Sequence, residues 1–169
     1  RGKNSGGTTR RREVMDWHAG VMVTVLALGS ALPLAGQMVQ YRSPAGVEYR
    51  SLRDTGAVAR AEQALAADPR NVDLLVALGV AQSGAQQFRE AIATFTRGLA
   101  ISPDNAMLYR WRGHRYISVR EFDRAMADLT RGYGLDSLNY GILFHLGVLR
   151  FLQGDFNGAA DAFRRGQKI

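Results

Sequence analysis

The chain has 169 residues, of which 46% are hydrophobic, 22% charged and 9% aromatic, a profile that argues for one folded domain with an appendage and against disorder over most of its length. Its net charge of +7 is divided: residues 1–36 hold five Lys/Arg against two Asp/Glu, and residues 37–169 hold 17 against 13, so the folding part is only mildly basic. Cysteine is absent, which removes disulfides, thiolate nucleophiles and sulfur-ligated metals.

The head is polar and basic over residues 1–14, with Arg10-Arg11-Arg12 in a row, and Met15 is the first methionine. From Gly20 to Gly36 the run GVMVTVLALGSALPLAG is apolar or small throughout, apart from Thr24 and Ser30. A basic stretch, a short apolar run and small residues near its end describe a secretory signal peptide, with cleavage after Ala31 or around Ala35–Gly36. The alternatives for the same run, at the low edge of a membrane span, are an uncleaved anchor and an ordinary buried segment. The expected location is therefore exported, periplasmic or extracellular, or membrane-anchored facing outward. A cytoplasmic location stays open, because a start at Met15 leaves Asp16 and no Lys or Arg before the apolar run.

Residues 37–53 follow as an expected linker, with Tyr41-Arg42-Ser43-Pro44 as a loop. A helix is then expected over about 54–67, with Asp54 as its N-cap. Beyond it the sequence repeats. Gly79, Gly113 and Gly147 recur every 34 residues, as do Ala91, Ala125 and Ala159; Phe95, Leu129 and Phe163; Gly98, Gly132 and Gly166; and Phe88, Phe122 and Phe156. Each copy spells a first helix, at about 72–84, 106–118 and 140–152, and a second at about 88–101, 122–134 and 156–168. The first-helix faces Leu75, Leu78, Gly79; Tyr109, Arg112, Gly113; and Leu143, Leu146, Gly147 recur at i, i+3, i+4, the spacing of one helical side. A glycine in such a face lets a neighbouring helix come close, and Pro103 ends the first copy. Ala57, Ala61, Ala64 and Pro69 stand 34 residues before Ala91, Phe95, Gly98 and Pro103, so the helix at 54–67 is a second helix without its first.

These columns resemble the tetratricopeptide repeat family over roughly residues 54–169: apolar-x-x-Leu-Gly in the first helix, Ala and an aromatic in the second, and a closing Pro. The copies depart from that pattern at Ser137, which replaces the closing Pro, and at Gln82, where the family often carries a Tyr and the second copy has Tyr116. The third copy stops at Ile169, before a closing Pro. The resemblance implies an all-α, right-handed helical-repeat solenoid: three helix-turn-helix repeats, at about 72–105, 106–139 and 140–169, preceded by a half-repeat helix.

It also implies a concave wall lined by first-helix residues: Asp73, Val76, Val80 and Ser83; Met107, Arg110, His114 and Ile117; and Gly141, Phe144, Val148 and Phe151. The candidate partner-binding groove is Val76, Val80, Met107, Arg110, His114, Ile117, Phe144, Val148 and Phe151, apolar at Phe144–Phe151 and cationic at Arg110–His114. Such a wall suits a protein or peptide with an acidic or carboxylate group and a hydrophobic group after it. The family's chaperone-tail clamps use Lys and Asn in this wall, where Val76 and Val80 stand here, so that activity is not implied. The bland alternative is that Arg110 and His114 are ordinary solvated side chains.

Arg112 occupies the apolar column of Leu78 and Leu146, and Asp128 the column of Thr94 and Ala162. The copy that gained a cation inside also gained an anion, which predicts a structural Arg112–Asp128 ion pair. His18, His114 and His145 are far apart, with His145 on a different helical face from His114, and no two show metal-ligand spacing. No phosphate loop or nucleophile–base pair is present, so no catalytic residue, cofactor or metal is expected. The strongest charge feature is the cluster Arg110, Arg112, Arg115, Arg120, Arg124 and Arg131. Interleaved Glu121, Asp123 and Asp128, together with export, count against nucleic acid as the partner. Membrane contact is expected only through residues 20–36 if they stay uncleaved. Phe156 and Phe163 lie at an uncapped C-terminal end, where self-association could occur. The expected function is a non-enzymatic scaffold or adaptor. The alternative is the N-terminal repeat portion of a larger, catalytic chain cut at residue 169.

Overall fold

The computed structural model describes residues 37–169, so the expected signal peptide or anchor lies outside the described residues. Two short strands, β1 (Val39–Arg42) and β2 (Glu48–Arg50), precede seven helices: α1 (Ala57–Ala67), α2 (Val72–Gly84), α3 (Phe88–Ile101), α4 (Ala106–Ser118), α5 (Phe122–Leu135), α6 (Tyr140–Leu152) and α7 (Phe156–Gly166). Helices pair as α2 with α3, α4 with α5 and α6 with α7, and each pair packs on the next through α3 with α4 and α5 with α6. The result is an all-α helical-repeat solenoid. No described helix is long and apolar enough to cross a membrane.

Each first helix starts the same way. Asn71, Asn105 and Asn139, again 34 residues apart, accept hydrogen bonds from the backbone N–H of Leu74, Leu108 and Ile142, satisfying a donor that the first helical turn leaves free. The turn inside each repeat has its own column. Gln86, Arg120 and Gly154 take positive φ, at 54°, 63° and 83°, and only the third is the residue that adopts this conformation without steric cost.

The two glycine columns have different neighbours. A methyl group placed on Gly79, Gly113 or Gly147 would meet Phe95, Leu129 or Phe163 of the same repeat at 2.3, 2.9 or 2.5 Å. These glycines therefore admit the large residue of their own second helix, not a side chain of the preceding copy such as Ala91. Contact between copies runs through the other column, where a methyl group on Gly98 or Gly132 would lie 2.9 Å from Leu108 or 3.2 Å from Ile142. Phe95, Leu108, Leu129 and Ile142 are fully buried on this axis. Burying one such side chain stabilises by about 1.5–3 kcal/mol.

Two expectations are corrected at the N-terminal end. Residues 37–53 are not a linker but carry an antiparallel hairpin, closed by a turn at Ser43–Val47 and irregular between Val39 and Tyr41. That irregularity turns Gln40 onto the start of α3. Its Oε1 accepts from the Arg89 backbone N–H at 2.7 Å, its Nε2 donates to Glu90 at 3.0 Å, and its carbonyl accepts from Arg89 Nε at 2.9 Å. Gln87, at the cap position of α3, offers no side-chain cap, so the hairpin supplies one from elsewhere in the chain. Strands of four and three residues are too short to show a period of two, and their order comes from docking. The second correction is that α1 starts at Ala57 with Gly56 as its cap residue. Asp54 reaches in from two positions upstream, accepting from the N–H of Val58 and Ala59 at 3.1 and 3.2 Å.

Candidate functional site

The wall residues belong to α2, α4 and α6, and α4 and α6 touch one another directly. At its first end Val80 is exposed, whereas Val76 packs onto the cluster of Ala91, Phe95, Leu99 and Leu108. In the middle Met107 is exposed and Ile117 leans on the cluster around Leu129 and Leu149. At the last end Phe144 and Phe151 are 41% and 58% exposed, with Val148 half-buried between them. Phe151 meets Phe156 edge-on at 5.5 Å, and Phe144 lies 6.0 Å from Phe163 and 6.1 Å from Tyr140. The apolar end is thus a partly open aromatic surface.

Arg110 is not the freely solvated side chain of the bland alternative. Its guanidinium lies 4.6 Å from the Trp111 ring centre, and its Nη1 points at Met107 Sδ, 3.5 Å away. A methyl group on Gly141 would come within 2.5 Å of Arg110 Nε, so the bare backbone of α6 is what lets the arginine lie flat across the repeat boundary. That Nε is buried with no hydrogen-bond partner among the described residues.

His114 and His145 do not face apart. Their rings stack with centres 4.0 Å apart across the α4–α6 boundary. The expectation failed because a helical face is defined within one helix, whereas this pair is made between two. His145 is 8% exposed and His114 half-buried. Burial first, then the charge of neighbours, pushes His114 down to about 3 and His145 down to about 4. Both rings are therefore neutral near pH 7.

Arg115 is also placed differently from a surface cluster. It is only 7% exposed, and burial pushes its pKa down to about 10. Its Nη2 lies against both ring nitrogens of His114, its guanidinium carbon is 5.2 Å from the Phe88 ring centre, and its Nε has no partner among the described residues. The signal was present in the sequence: the same column holds Ala81 and Leu149, both apolar, and Leu149 is fully buried.

The rest of the arginine cluster is dispersed. Arg112 pairs with Asp128 through Nε–Oδ2 at 2.7 Å and Nη2–Oδ1 at 2.8 Å, with Asp128 buried. This two-pronged bond raises the Arg112 pKa further. Arg112 Nη1 also donates to Thr96 Oγ1 at 3.1 Å, tying repeat two to repeat one. Arg124 pairs with Glu121 at 3.1 Å and Arg131 with Asp104 at 2.7 Å. Among the described residues, no group of three or more His, Asp or Glu is placed to hold a metal ion.

Two family models, each described as tetratricopeptide repeat, match residues 55–110 and 111–169. Among solved structures, the crystal structure of MamA is similar at 24% identity with a TM-score of 0.61, covering 68% of this chain and 67% of that one. A second crystal structure of MamA protein gives 24% and 0.60 over 68% and 62%. MamA 41-end from Desulfovibrio magneticus RS-1 gives 19% and 0.60 over 66% and 63%. The likeness to these structures is one of fold, and the chain spans about two thirds or less of their length. No curated protein matches the chain.

Proposed function

Because the chain belongs to the tetratricopeptide repeat family, whose stacked helix pairs act as protein-interaction scaffolds, we propose that it holds a peptide segment of a protein partner along the concave wall of α2, α4 and α6, and that it catalyses nothing itself. The observation that carries this reading is the adjacency of half-exposed cation and exposed aromatics on one wall. Arg110 lies across the α4–α6 boundary on Gly141, and Phe144 begins the aromatic surface three residues further along α6. An acidic side chain or a terminal carboxylate would sit on Arg110, and an apolar residue after it on Phe144 and Phe151. Chemistry would need a nucleophile with a base, and the neutral, stacked histidines have no hydroxyl or carboxylate within hydrogen-bond reach among the described residues.

Selection of a random peptide display library on the full chain tests this. The expected result is peptides with an acidic residue beside an aromatic or aliphatic one, whose affinity falls at least about tenfold in Arg110→Glu and weakens with salt. Selected peptides with no acidic preference, or with equal affinity for Arg110→Glu, would overturn the groove.

A further inference from the structure

Four cationic or potentially cationic side chains meet where repeat two joins repeat three, and no carboxylate among the described residues joins them. Arg115, His114 and His145 are layered in that order, with the two rings 4.0 Å apart, and Arg110 lies over Gly141 beside them. Asp128, the buried carboxylate of this repeat, is occupied at both oxygens by Arg112. Arg110 Nε and Arg115 Nε are the two buried side-chain polar atoms without a partner among the described residues. A buried guanidinium without an anion is costly. The column that holds Arg115 accepts an apolar residue in the other two repeats, so the fold does not require the charge.

The charge count distinguishes ligands. Two guanidiniums contribute two positive charges, and the histidines, held neutral, contribute none. A carboxylate would leave one charge uncompensated, whereas a doubly charged oxyanion balances both and offers several acceptor oxygens to N–H groups arriving from different sides. Arg110 and His114, the half-buried members, would touch the ligand, and Arg115 and His145 would support it from beneath. Neutral imidazoles fit this role, since each keeps one N–H to donate.

We propose that Arg110, His114, Arg115 and His145 form a site for a dianionic oxyanion, and that its source is the phosphoryl group of a phosphorylated serine or threonine in the peptide held along the wall. The proposal rests on the peptide-binding reading and sharpens it, since phosphorylation of the partner would then govern its capture.

The test uses the full chain at pH 7.5 and constant ionic strength, with four probes: inorganic phosphate, acetate, and one aromatic-containing heptapeptide with serine or phosphoserine at its centre. Imidazole NMR signals report on His114 and His145, and calorimetry gives affinities. The expected results are that phosphate shifts both imidazoles and acetate does not, and that the phosphoseryl peptide binds at least about tenfold more tightly than the seryl one. Arg110→Gln and Arg115→Leu should each remove at least about nine tenths of that affinity. Arg115→Leu installs the side chain that repeat three already carries in this column, and an unchanged or raised thermal midpoint would show that it folds. Equal responses to phosphate and acetate, or an Arg115→Leu protein that binds phosphate as before, would overturn the oxyanion site. Phosphate shifts without a phosphoseryl preference would overturn the peptide-borne source and leave free phosphate as the ligand. Acidic peptides that bind and respond to Arg110→Glu while phosphate does nothing would sink this inference and leave the peptide-binding reading standing.

Discussion

Repeat two and the repeats on either side of it share one backbone and fill it differently. In the two columns that face each other inside a repeat, repeat one places Leu78 and Thr94, whose hydroxyl donates to Gln82 Oε1, one turn further along α2, at 2.8 Å. Repeat three places Leu146 and Ala162 there, both buried. Repeat two uses the Arg112–Asp128 pair, then adds Arg110, His114 and Arg115 on the same helix. The difference teaches that a recurring column fixes where a side chain sits without fixing its polarity. It also separates two kinds of charge within α4: Arg112 is neutralised by its own repeat, whereas no carboxylate among the described residues pairs with Arg110 or Arg115.

Removing one partner of the internal pair breaks this comparison most severely. Asp128→Ala leaves a buried guanidinium alone and should cost about 3–5 kcal/mol in denaturant-unfolding experiments. Combining it with Arg112→Leu makes repeat two like repeat three and should recover stability to within about 1 kcal/mol of the parent. A double variant as unstable as the single one would show that the pair does more than compensate itself. The glycine column gives the next largest contrast. Gly79→Ala drives a methyl group into the Phe95 ring and should cost about 2–3 kcal/mol. Gly113→Ala meets the smaller Leu129 and should cost about 1–2 kcal/mol, measured by the same unfolding curves.

Acid should single out the boundary between repeats two and three. His114 and His145 have folded pKa values below the ordinary 6.5, so the unfolded chain takes up protons first as pH falls. Stability is fully present above about pH 6.5 and is lost progressively from there down towards pH 3–4. By pH 5 the loss should reach roughly 1–2 kcal/mol per histidine, and the double variant His114→Gln/His145→Gln should flatten that slope. The smallest effect concerns the turns. Arg120→Gly gives repeat two the turn residue that repeat three has in Gly154 and should raise stability by about 0.5–1 kcal/mol.

Much of the architecture was legible because stacked repeats restate their constraints. The bounds of α2, α4 and α6 follow from columns that recur three times, and the Arg112–Asp128 geometry follows from two columns changing together in one copy. The asparagine column at 71, 105 and 139 carried the same kind of signal and locates the first-helix caps. The hairpin occurs once, has no second copy to compare with, and is held by Gln40 reaching α3 across about fifty positions of sequence. The site was half legible for a similar reason. Arg110 and His114 could be placed on the wall through the resemblance to the repeat family. The His114–His145 stack and the buried setting of Arg115 depend on how α4 meets α6 and α3, which no single helical face records.

The wall's role as the partner surface is tested most directly by methyl NMR on the full chain, titrated with a peptide selected as above. The account predicts that signals of Val80, Met107, Ile117 and Val148 shift together, while those of Val47 and Leu138, exposed outside α2, α4 and α6, stay in place. Shifts confined to Val47 or Leu138, with the wall methyls unmoved, would contradict it.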